Sequence, residues 1–350
     1  MCAGITRYPD KSVSWKYCRP SDWQRFCERL QSPAPTMPPR PSRSQLMTPT
    51  AIATLHAHLL AALNPAPTET RRLFHGRGKC WPELEQITVD WLEGILLVAL
   101  FRQPSAAALS ALQATLLSLQ QPVLLQHRYA TQCSSEWLAG EPVEQWLIHE
   151  NGLSYLLDLG SRQNTGLFLD MRHGRQWVSE NSNGKSVLNL FAYTCGFSVA
   201  AIAGGAKQLV NLDMASAALT RGRENHRLNQ HDLARVKFLG HDLFKSWGKL
   251  ERSGPYDLII VDPPTFQQGS FVLTRDYRKI LRRLPTLLNP NAQALLCCNE
   301  PQLGADLLLA EVACTAPDLC FVKRIDNPPE FTDIDPAGGL KALVFNYCPS

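Results

Sequence analysis

From residue 184 to the end of the chain, short apolar segments alternate with longer stretches of helical character. The apolar segments read SVLNLF, AKQLVNLD, RVKFLGHD, YDLIIVDPP, AQALLCC and LKALVFNY. Strands that are uniformly apolar and separated by helices are typical of a mostly parallel sheet covered on both faces. The pattern therefore predicts an α/β domain, to which we assign residues 161–350.

The part of the chain before this domain has a mixed pattern. Helices are predicted over about 50–63 and over SAAALSALQATLLSLQ, and strands near EQITVDWL, GILLVALF, PVLLQHR and on both sides of Asn151-Gly152, a good hairpin turn. Together they predict a small α+β module over 47–160. Residues 1–46 are rich in Pro, Ser and Arg, with four prolines between Pro33 and Pro39, and we expect a disordered tail.

Composition narrows the class of protein. The 350 residues are 45% hydrophobic and 19% charged, and no apolar run approaches the length of a membrane span. The eleven cysteines are scattered without a CxxC pair, which argues against structural zinc or a disulfide framework and favours a reduced, cytoplasmic protein with no metal. The net charge of +4 is a mild indication of an anionic partner.

Parallel sheets place their ligands beyond the carboxyl ends of the strands. At these positions the chain has Gly196 after the first predicted strand, then Asp213, Asp242 and Asp262 at the next three strand ends. Glycine permits close approach to a ligand, Asp213 can accept from two ribose hydroxyls, and Asp242 can reach an adenine edge. The pattern predicts a nucleoside bound across the strand ends.

The loop after the first strand helps to identify this nucleoside. A dinucleotide fold needs G-x-G-x-x-G around the pyrophosphate, whereas YTCGFS has one glycine, and the chain has no P-loop. S-adenosylmethionine has no phosphate and carries a positive sulfonium, so it tolerates this loop and is the predicted cofactor.

Five segments carry a resemblance to a known family: NTGLFLDMRHGR, VLNLFAYTCGFSVAAIAGGA, VNLDMASAAL, RENHRLN and DLIIVDPPTF. They resemble the Rossmann-like class I S-adenosylmethionine-dependent methyltransferases of 23S ribosomal RNA, both the I type (cytosine C5) and the K domain of the K/L type (guanine N7). The resemblance covers about residues 150–350. It implies that a segment containing Thr165, Gly166, Phe168, Asp170 and Arg172 lies over the cofactor.

The same resemblance implies that the loop Tyr193, Thr194 and Gly196 binds the cofactor. Cys195 stands where the family commonly has glycine, which puts the loop conformation in question. The resemblance also implies that the acid-Pro-Pro segment lines the pocket between the methyl donor and the target, with Asp262 contacting both. Pro263 and Pro264 fix φ and present acceptors to a base edge, and Phe266 is expected to stack on an extruded base.

The sequence leaves the target atom open. Cytosine C5 needs a cysteine thiolate for covalent activation, whereas guanine N7 needs mainly positioning. The resembled I-type enzymes carry Ser-Cys-Ser after the fifth strand, and here Asn299 aligns with that cysteine and Cys298 precedes it. The C-terminal segment DNPPEFTDIDPAGGLKALVFNY is more similar to the I type.

The segment TRDYRKILRRL predicts a basic stripe on a helix near the pocket. Its cations follow three- and four-residue spacing and are Arg275, Arg278, Lys279, Arg282 and Arg283. The stripe is a hypothetical RNA-binding surface, and a solvated helix face is the alternative. A protein or DNA substrate, or a non-catalytic RNA-binding pseudo-enzyme, are the alternatives to an RNA methyltransferase.

Overall fold

The computed structural model describes residues 47–130, 133–160, 164–267, 271–301, 303–335 and 338–349. The predicted disordered tail, 1–46, lies outside the described residues. None of the described helices is long and apolar enough to cross a membrane.

A five-stranded sheet with two helices follows the start of the described chain. The helices are α1 (Pro49–Ala62) and α2 (Ala106–Ser118), and the strands, in spatial order, are β1 (Arg71–His75), β2 (Ile87–Trp91), β3 (Leu96–Leu100), β4 (Val123–His127) and β5 (Ser134–Ala139). Only β3 and β4 are parallel. Thr48 and Ser105 cap the two helices through their hydroxyls, and the apolar helix faces pack on the sheet. Both predicted helices are confirmed.

A hairpin links this sheet to the rest of the molecule. Its strands, β6 (Gln145–Glu150) and β7 (Leu153–Asp158), turn at Asn151 and Gly152, which both have positive φ. The Glu69 carboxylate accepts from the backbone N–H groups of both turn residues at 2.9 and 2.8 Å. The predicted turn is therefore confirmed.

The second sheet has seven strands in the order β10-β9-β8-β11-β14-β16-β15. Their bounds are β8 (Ser186–Leu190), β9 (Gln208–Asp213), β10 (Val236–Gly240), β11 (Tyr256–Val261), β14 (Leu288–Cys298), β15 (Leu319–Ile325) and β16 (Lys341–Tyr347); the two-residue strands β12 (Phe266–Gln267) and β13 (Phe271–Val272) form a separate pair. The first five are parallel, and β16 inserts antiparallel between β14 and β15. The predicted Rossmann-like, mostly parallel α/β sheet is confirmed.

Helices cover both faces of this sheet. They are α3 (Arg172–Glu180), α4 (Gly196–Ala203), α5 (Ser216–Leu228), α6 (Trp247–Ser253), α7 (Leu273–Leu281), α8 (Leu284–Leu287) and α9 (Ala305–Thr315). Two separate apolar clusters result, one on each face. The chain order reverses between β8 and β11, which is the position where open α/β sheets bind their ligands.

The connection between β15 and β16 reaches back to the first sheet, and we call its residues 326–335 the clasp. Glu330 forms a two-pronged ion pair with Arg172 of α3, at 2.5 and 3.1 Å. Phe331 packs against the guanidinium of Arg72 in β1, 4.7 Å from the ring centroid, and Ile334 N–H donates to the Gly78 carbonyl at 2.7 Å. The clasp thus joins the last strands of the chain to the first.

Candidate active site

The loop between β8 and α4 lies at the point where the chain order reverses. Phe191, Tyr193 and Cys195 all have left-handed backbone conformations there. The Cys195 thiol is buried against Gly222 of α5, where a side chain would collide with the sulfur. A cysteine is therefore accommodated at this common glycine position because the facing helix has a glycine, and the Tyr193 N–H still points to Asp213, 2.8 Å from its Oδ2.

Asp213 and Asp242 line one pocket, as the sequence predicts. The pocket walls are Phe191, Leu212, Asp213, Met214, His241, Asp242, Leu243, Phe244 and Phe271. Asp213 also accepts from the Ala215 N–H through Oδ1 at 2.8 Å, and each of its oxygens keeps a further lone pair for a hydroxyl. Asp242 caps the short helix Leu243–Lys245 by accepting from the Phe244 N–H at 2.9 Å. The pocket therefore combines apolar side chains with two carboxylates, the groups that could contact a base and a ribose.

The segment 164–170 lies against the β8–α4 loop. The Thr194 hydroxyl donates to the Gly166 carbonyl, and the Tyr193 hydroxyl donates to the Asn164 carbonyl at 3.3 Å. The exposed ring of Phe168 lies 5.6 Å from the ring of Tyr193. These contacts bring together the residues that the resemblance assigns to the cofactor, with the carbonyl of Thr165 anchored to β7 through the Asp158 N–H at 2.7 Å.

Two of the predicted cofactor residues are engaged elsewhere. The Arg172 side chain is buried and pairs with Glu330 of the clasp. The side chains of Leu167 and Arg175 lie close to Gly196. A Cβ atom at position 196 would lie 3.1 Å from Leu167 and 3.4 Å from Arg175. In the described structure, the absence of a side chain at Gly196 therefore makes room for protein packing.

Asp262 follows β11 directly and is mostly buried. Burial first, and then the nearby charge of Asp170, raise the pKa of the Asp262 carboxyl to about 7, against the opposing charge of Arg175. Burial also raises the pKa of Asp170, although Arg72 and Arg175 oppose that shift. The charge of Asp170 therefore helps to keep the Asp262 carboxyl partly protonated near neutral pH.

Arg175 is held in place by Glu150 of the hairpin. The two side chains are almost fully buried, with Nε to Oε1 at 2.5 Å and Nη2 to Oε2 at 2.7 Å, and Nη2 also donates to the Phe168 carbonyl at 2.8 Å. The charge of this guanidinium lowers the pKa of Asp170 and of Asp262, against the effect of burial. The sequence analysis did not select Arg175, although it ends the quoted segment NTGLFLDMRHGR.

The residues after Asp262 form a rigid tip. Pro263 is buried and Pro264 exposed, and the Thr265 hydroxyl donates to the Asn299 carbonyl at 3.3 Å. Asn299, which aligns with the cysteine of the resembled I type, thus lies beside the acid-Pro-Pro segment. The backbone of Phe266 pairs with Val272, whereas its side chain lies outside the described part of the structure.

Cys298 precedes Asn299 at the end of β14. Its side chain is 1% exposed, and burial raises the pKa of its thiol. The neighbouring Cys297 is equally buried and its pKa is raised well above the usual value. Both thiols are therefore protonated at neutral pH.

The predicted basic stripe lies on α7 and the turn after it, and most of its cations have acidic partners. Arg278 pairs with the buried Glu311 of α9 at 2.5 Å, and both Arg275 and Lys279 pair with the buried Asp276, at 2.6 and 2.8 Å. Arg283 lies 3.7 Å from Glu251, and Arg282 is exposed. Carboxylates therefore neutralise much of the charge that the sequence places here.

Asn225 is a positioning residue that the sequence analysis did not single out, although it lies in the quoted RENHRLN segment. This buried side chain donates to the Thr194 carbonyl at 3.0 Å and accepts from the Leu156 N–H at 2.9 Å. It therefore joins the loop after β8 to the hairpin. Among the described residues, no group of three or more His, Cys, Asp or Glu side chains could hold a metal ion.

Comparisons with known proteins agree with this geometry. A family model of S-adenosylmethionine-dependent methyltransferases matches residues 71–346, which extends from β1 into β16. A solved structure assigned as a methyltransferase and crystallised with S-adenosylhomocysteine superposes with a TM-score of 0.76, at 25% identity, over 85% of this chain and 81% of that one.

Two curated relatives are named as ribosomal RNA large subunit methyltransferases. Type I of Aeromonas salmonicida is 39% identical over 158 residues, which are 44% of this chain and 40% of that protein. Type K/L of Shewanella frigidimarina is 36% identical over 166 residues, 46% of this chain and 23% of that protein. The matched region spans less than half the length of either relative.

Proposed function

The chain belongs to the S-adenosylmethionine-dependent methyltransferase family, and we propose that it methylates a base of large-subunit ribosomal RNA. The family model extends over most of the chain. The substrate comes from the names of the two relatives, which favour ribosomal RNA over the protein and DNA alternatives and over a non-catalytic pseudo-enzyme. A ribosomal RNA substrate also agrees with the predicted cytoplasmic location.

S-adenosylmethionine supplies the methyl group when it is bound. In our proposal Asp213 accepts from the ribose hydroxyls, Asp242 lies at the adenine end of the pocket, and Met214 and Leu243 contact the adenine faces. Phe168, Asp170, Tyr193 and Thr194 border the site on the other side. Arg172 and Gly196 support it indirectly, through the clasp and through the packing of Arg175.

Asp262, Pro263 and Phe266 are the proposed residues of the target pocket. The prolines leave the backbone of this tip little freedom, so the carbonyls and the Asp262 carboxyl can accept from the amino or imino protons of a base without reorganisation. Because the pKa of Asp262 is about 7, its carboxylate can also take a proton from such a group at neutral pH. Phe266 would stack on the extruded base.

The state of the thiols favours a nitrogen atom over cytosine C5 as the methyl acceptor. Methylation at C5 requires a thiolate that adds to the base. Cys298 is buried, its pKa is raised, and the exposed side chain beside the acid-Pro-Pro tip is that of Asn299. An asparagine amide can hold a base edge but cannot act as the covalent nucleophile.

Only part of the basic stripe is retained as a proposed RNA-binding surface. Arg275, Lys279 and Arg282 are exposed and remain candidate RNA contacts, although Asp276 offsets the first two. We assign Arg278 a structural role, because its fork is occupied by Glu311.

One observation carries the proposal: an acid-Pro-Pro tip with a carboxyl of pKa about 7 lies at the same sheet edge as the ribose-type acceptor Asp213. The test is mass spectrometry of nucleosides from the ribosomal RNA of a strain that lacks the gene. We expect one methylated base to disappear, and to return with the wild-type gene but not with Asp262→Asn. An unchanged set of ribosomal RNA nucleosides would contradict the proposal.

A further inference from the structure

Two arginines of the first sheet lie against one aromatic ring at the edge nearest the candidate active site. Arg77 lies in the short helix after β1, Phe101 directly follows β3, and Arg128 directly follows β4. Because β3 and β4 are parallel neighbours, Phe101 and Arg128 leave the sheet at the same edge. The guanidinium carbons of Arg77 and Arg128 lie 4.3 and 5.1 Å from the centroid of the Phe101 ring.

Among the described residues, the acids near this arginine pair act on it only from beyond ion-pair distance. The neighbouring Arg72 pairs with Asp90, whereas no carboxylate among the described residues forms an ion pair with Arg77 or Arg128. Burial and the charge of Arg72 lower the pKa of Arg77, and burial and the charges of Arg77 and Arg72 contribute to the lowered pKa of Arg128. The buried Arg128 Nε also has no hydrogen-bond partner among the described residues. Two neighbouring cations without a carboxylate partner among the described residues, one of them with an unsatisfied donor, favour an anion.

The arginine pair borders the cofactor loop. The Arg128 Nη2 donates to the Asn164 side-chain oxygen at 3.2 Å, and the Asn164 carbonyl accepts from the Tyr193 hydroxyl at 3.3 Å. On the other side, Asp170 is close enough to raise the pKa of Arg77 against the larger effect of burial, and Asp170 is also the charge that acts on Asp262. The pair therefore lies beside the cofactor loop and near Asp170.

We propose that Arg77 and Arg128 bind a backbone phosphate of the RNA strand beside the nucleotide that is methylated. This inference rests on the proposed function, and adds the surface that holds the strand. The planar guanidinium fork matches a phosphate with two hydrogen bonds, and the Phe101 ring keeps the two forks in position. Contacts of this kind fix the register of the strand without reading its sequence. The stripe on α7 is less suited to this role, because carboxylates already occupy most of its cations.

The test compares Arg77→Ala/Arg128→Ala with the wild-type protein on a 23S ribosomal RNA transcript. RNA binding is measured over a range of salt concentrations. Cofactor binding is measured by calorimetry, and methyl transfer is measured in a single turnover. We expect the RNA affinity to fall at least about tenfold. The slope of log affinity against log salt should become shallower by roughly 0.7 to 0.9, as for one lost phosphate contact. Cofactor affinity should stay within about twofold.

Two control variants and one single-residue variant accompany the double alanine variant. Lys237→Ala removes one exposed charge from β10, at the far edge of the second sheet. It should change neither the RNA affinity nor the salt slope. Arg77→Lys/Arg128→Lys keeps both charges and should keep the salt slope while losing part of the affinity. Arg77→Gln alone alters an exposed side chain, so it tests the proposal even if the double variant folds poorly.

Two results would overturn the inference while leaving the proposed function intact. One is RNA affinity and a salt slope in the arginine variants equal to those of the wild-type protein, which itself binds and methylates the transcript. The other is a loss of cofactor affinity as large as the loss of RNA affinity, which would make the pair a structural support. A wild-type protein that neither binds nor methylates the transcript would instead remove the proposed function, and this inference with it.

Discussion

At the scale of single residues, we expect the Asp262 carboxyl to make the affinity for the positively charged cofactor depend on pH. Its pKa of about 7 reports the cofactor-free protein, and a nearby sulfonium favours the ionised form. Below pH 7, binding must therefore release a proton. We expect the affinity for S-adenosylmethionine to rise by up to about fivefold between pH 6 and 7 and by up to about tenfold between pH 6 and 8, and to level off above pH 8.

S-adenosylhomocysteine is the matched control, since its sulfur is uncharged. Its affinity should vary much less over the same pH range, and Asp262→Asn should flatten the curve for S-adenosylmethionine. Calorimetry in buffers of different ionisation enthalpy measures the released proton directly. Identical pH curves for the two ligands would show that Asp262 does not face the sulfonium.

Asp213 provides a second residue-scale test. The variant Asp213→Asn keeps the size of the side chain but removes the charge that we assign to the ribose hydroxyls. We expect a loss of about 1.5–3 kcal/mol of binding free energy, or roughly tenfold to a hundredfold in cofactor affinity. Asp306→Asn, an exposed acid at the start of α9, is the control and should bind normally. Unchanged affinity in a folded Asp213→Asn protein would refute the assignment.

The third prediction concerns the reactivity of the Cys298 thiol. We expect no covalent adduct between the protein and RNA that contains 5-fluorocytosine, because burial keeps this thiol protonated. Methyl transfer should continue in Cys298→Ala and stop in Asp262→Ala. An adduct that survives denaturation in the wild-type protein, and is absent in Cys298→Ala, would move the target atom to cytosine C5.

At the scale of helices, α7 and the turn after it contain two kinds of arginine that the sequence does not distinguish. Arg278→Ala leaves the carboxylate of Glu311, only 1% exposed, without its cation, so we expect the free energy of unfolding to fall by about 3–5 kcal/mol. Arg282→Ala alters an exposed side chain and should change it by less than about 0.5 kcal/mol. Urea unfolding measures both, and equal effects would contradict the role given to Arg278.

The sequence predicted those strands whose apolar residues are continuous. Residues 258–261 in β11 are all buried, and their run is visible in the sequence alone. Strand β15, LCFVKRI, was not predicted because most of its side chains are exposed at the sheet edge. Strand β1 was missed because two arginines open a segment of only five residues.

In the candidate site, too, some residues could be placed from the sequence and others could not. The place of Asp213, Asp242 and Asp262 at one edge of the sheet could be predicted, because each lies at or just after the end of a strand and strand ends converge by topology. The partner of Arg175 is 25 positions away and the partner of Arg172 is 158 positions away. No periodicity encodes such pairings, since they depend on how the hairpin and the clasp pack in three dimensions.

At the scale of the whole molecule, the clasp supports a prediction about coupling. Glu330→Ala leaves the buried Arg172 without its partner and loosens the seat of Phe331 on β1. We expect the free energy of unfolding to fall by roughly 2–4 kcal/mol, and amide hydrogen exchange to accelerate in β1 as well as in α3. Ile334→Ala, in the same segment but 69% exposed, is the control. Faster exchange confined to the clasp itself would show that it does not hold the two sheets together.

The clasp is synthesised late, and this order has a consequence for the folding of the protein. Strand β1 leaves the ribosome more than two hundred residues before the segment with Glu330 and Phe331 that completes its packing. A nascent chain can therefore fold its first sheet early, but Arg72 waits for its aromatic partner until translation is almost finished. A chain that stops short of residue 326 keeps Arg77 and Arg128, yet lacks the contact that aligns β1 with α3. Premature termination should thus produce a protein in which the arginines are present but not aligned with the acids.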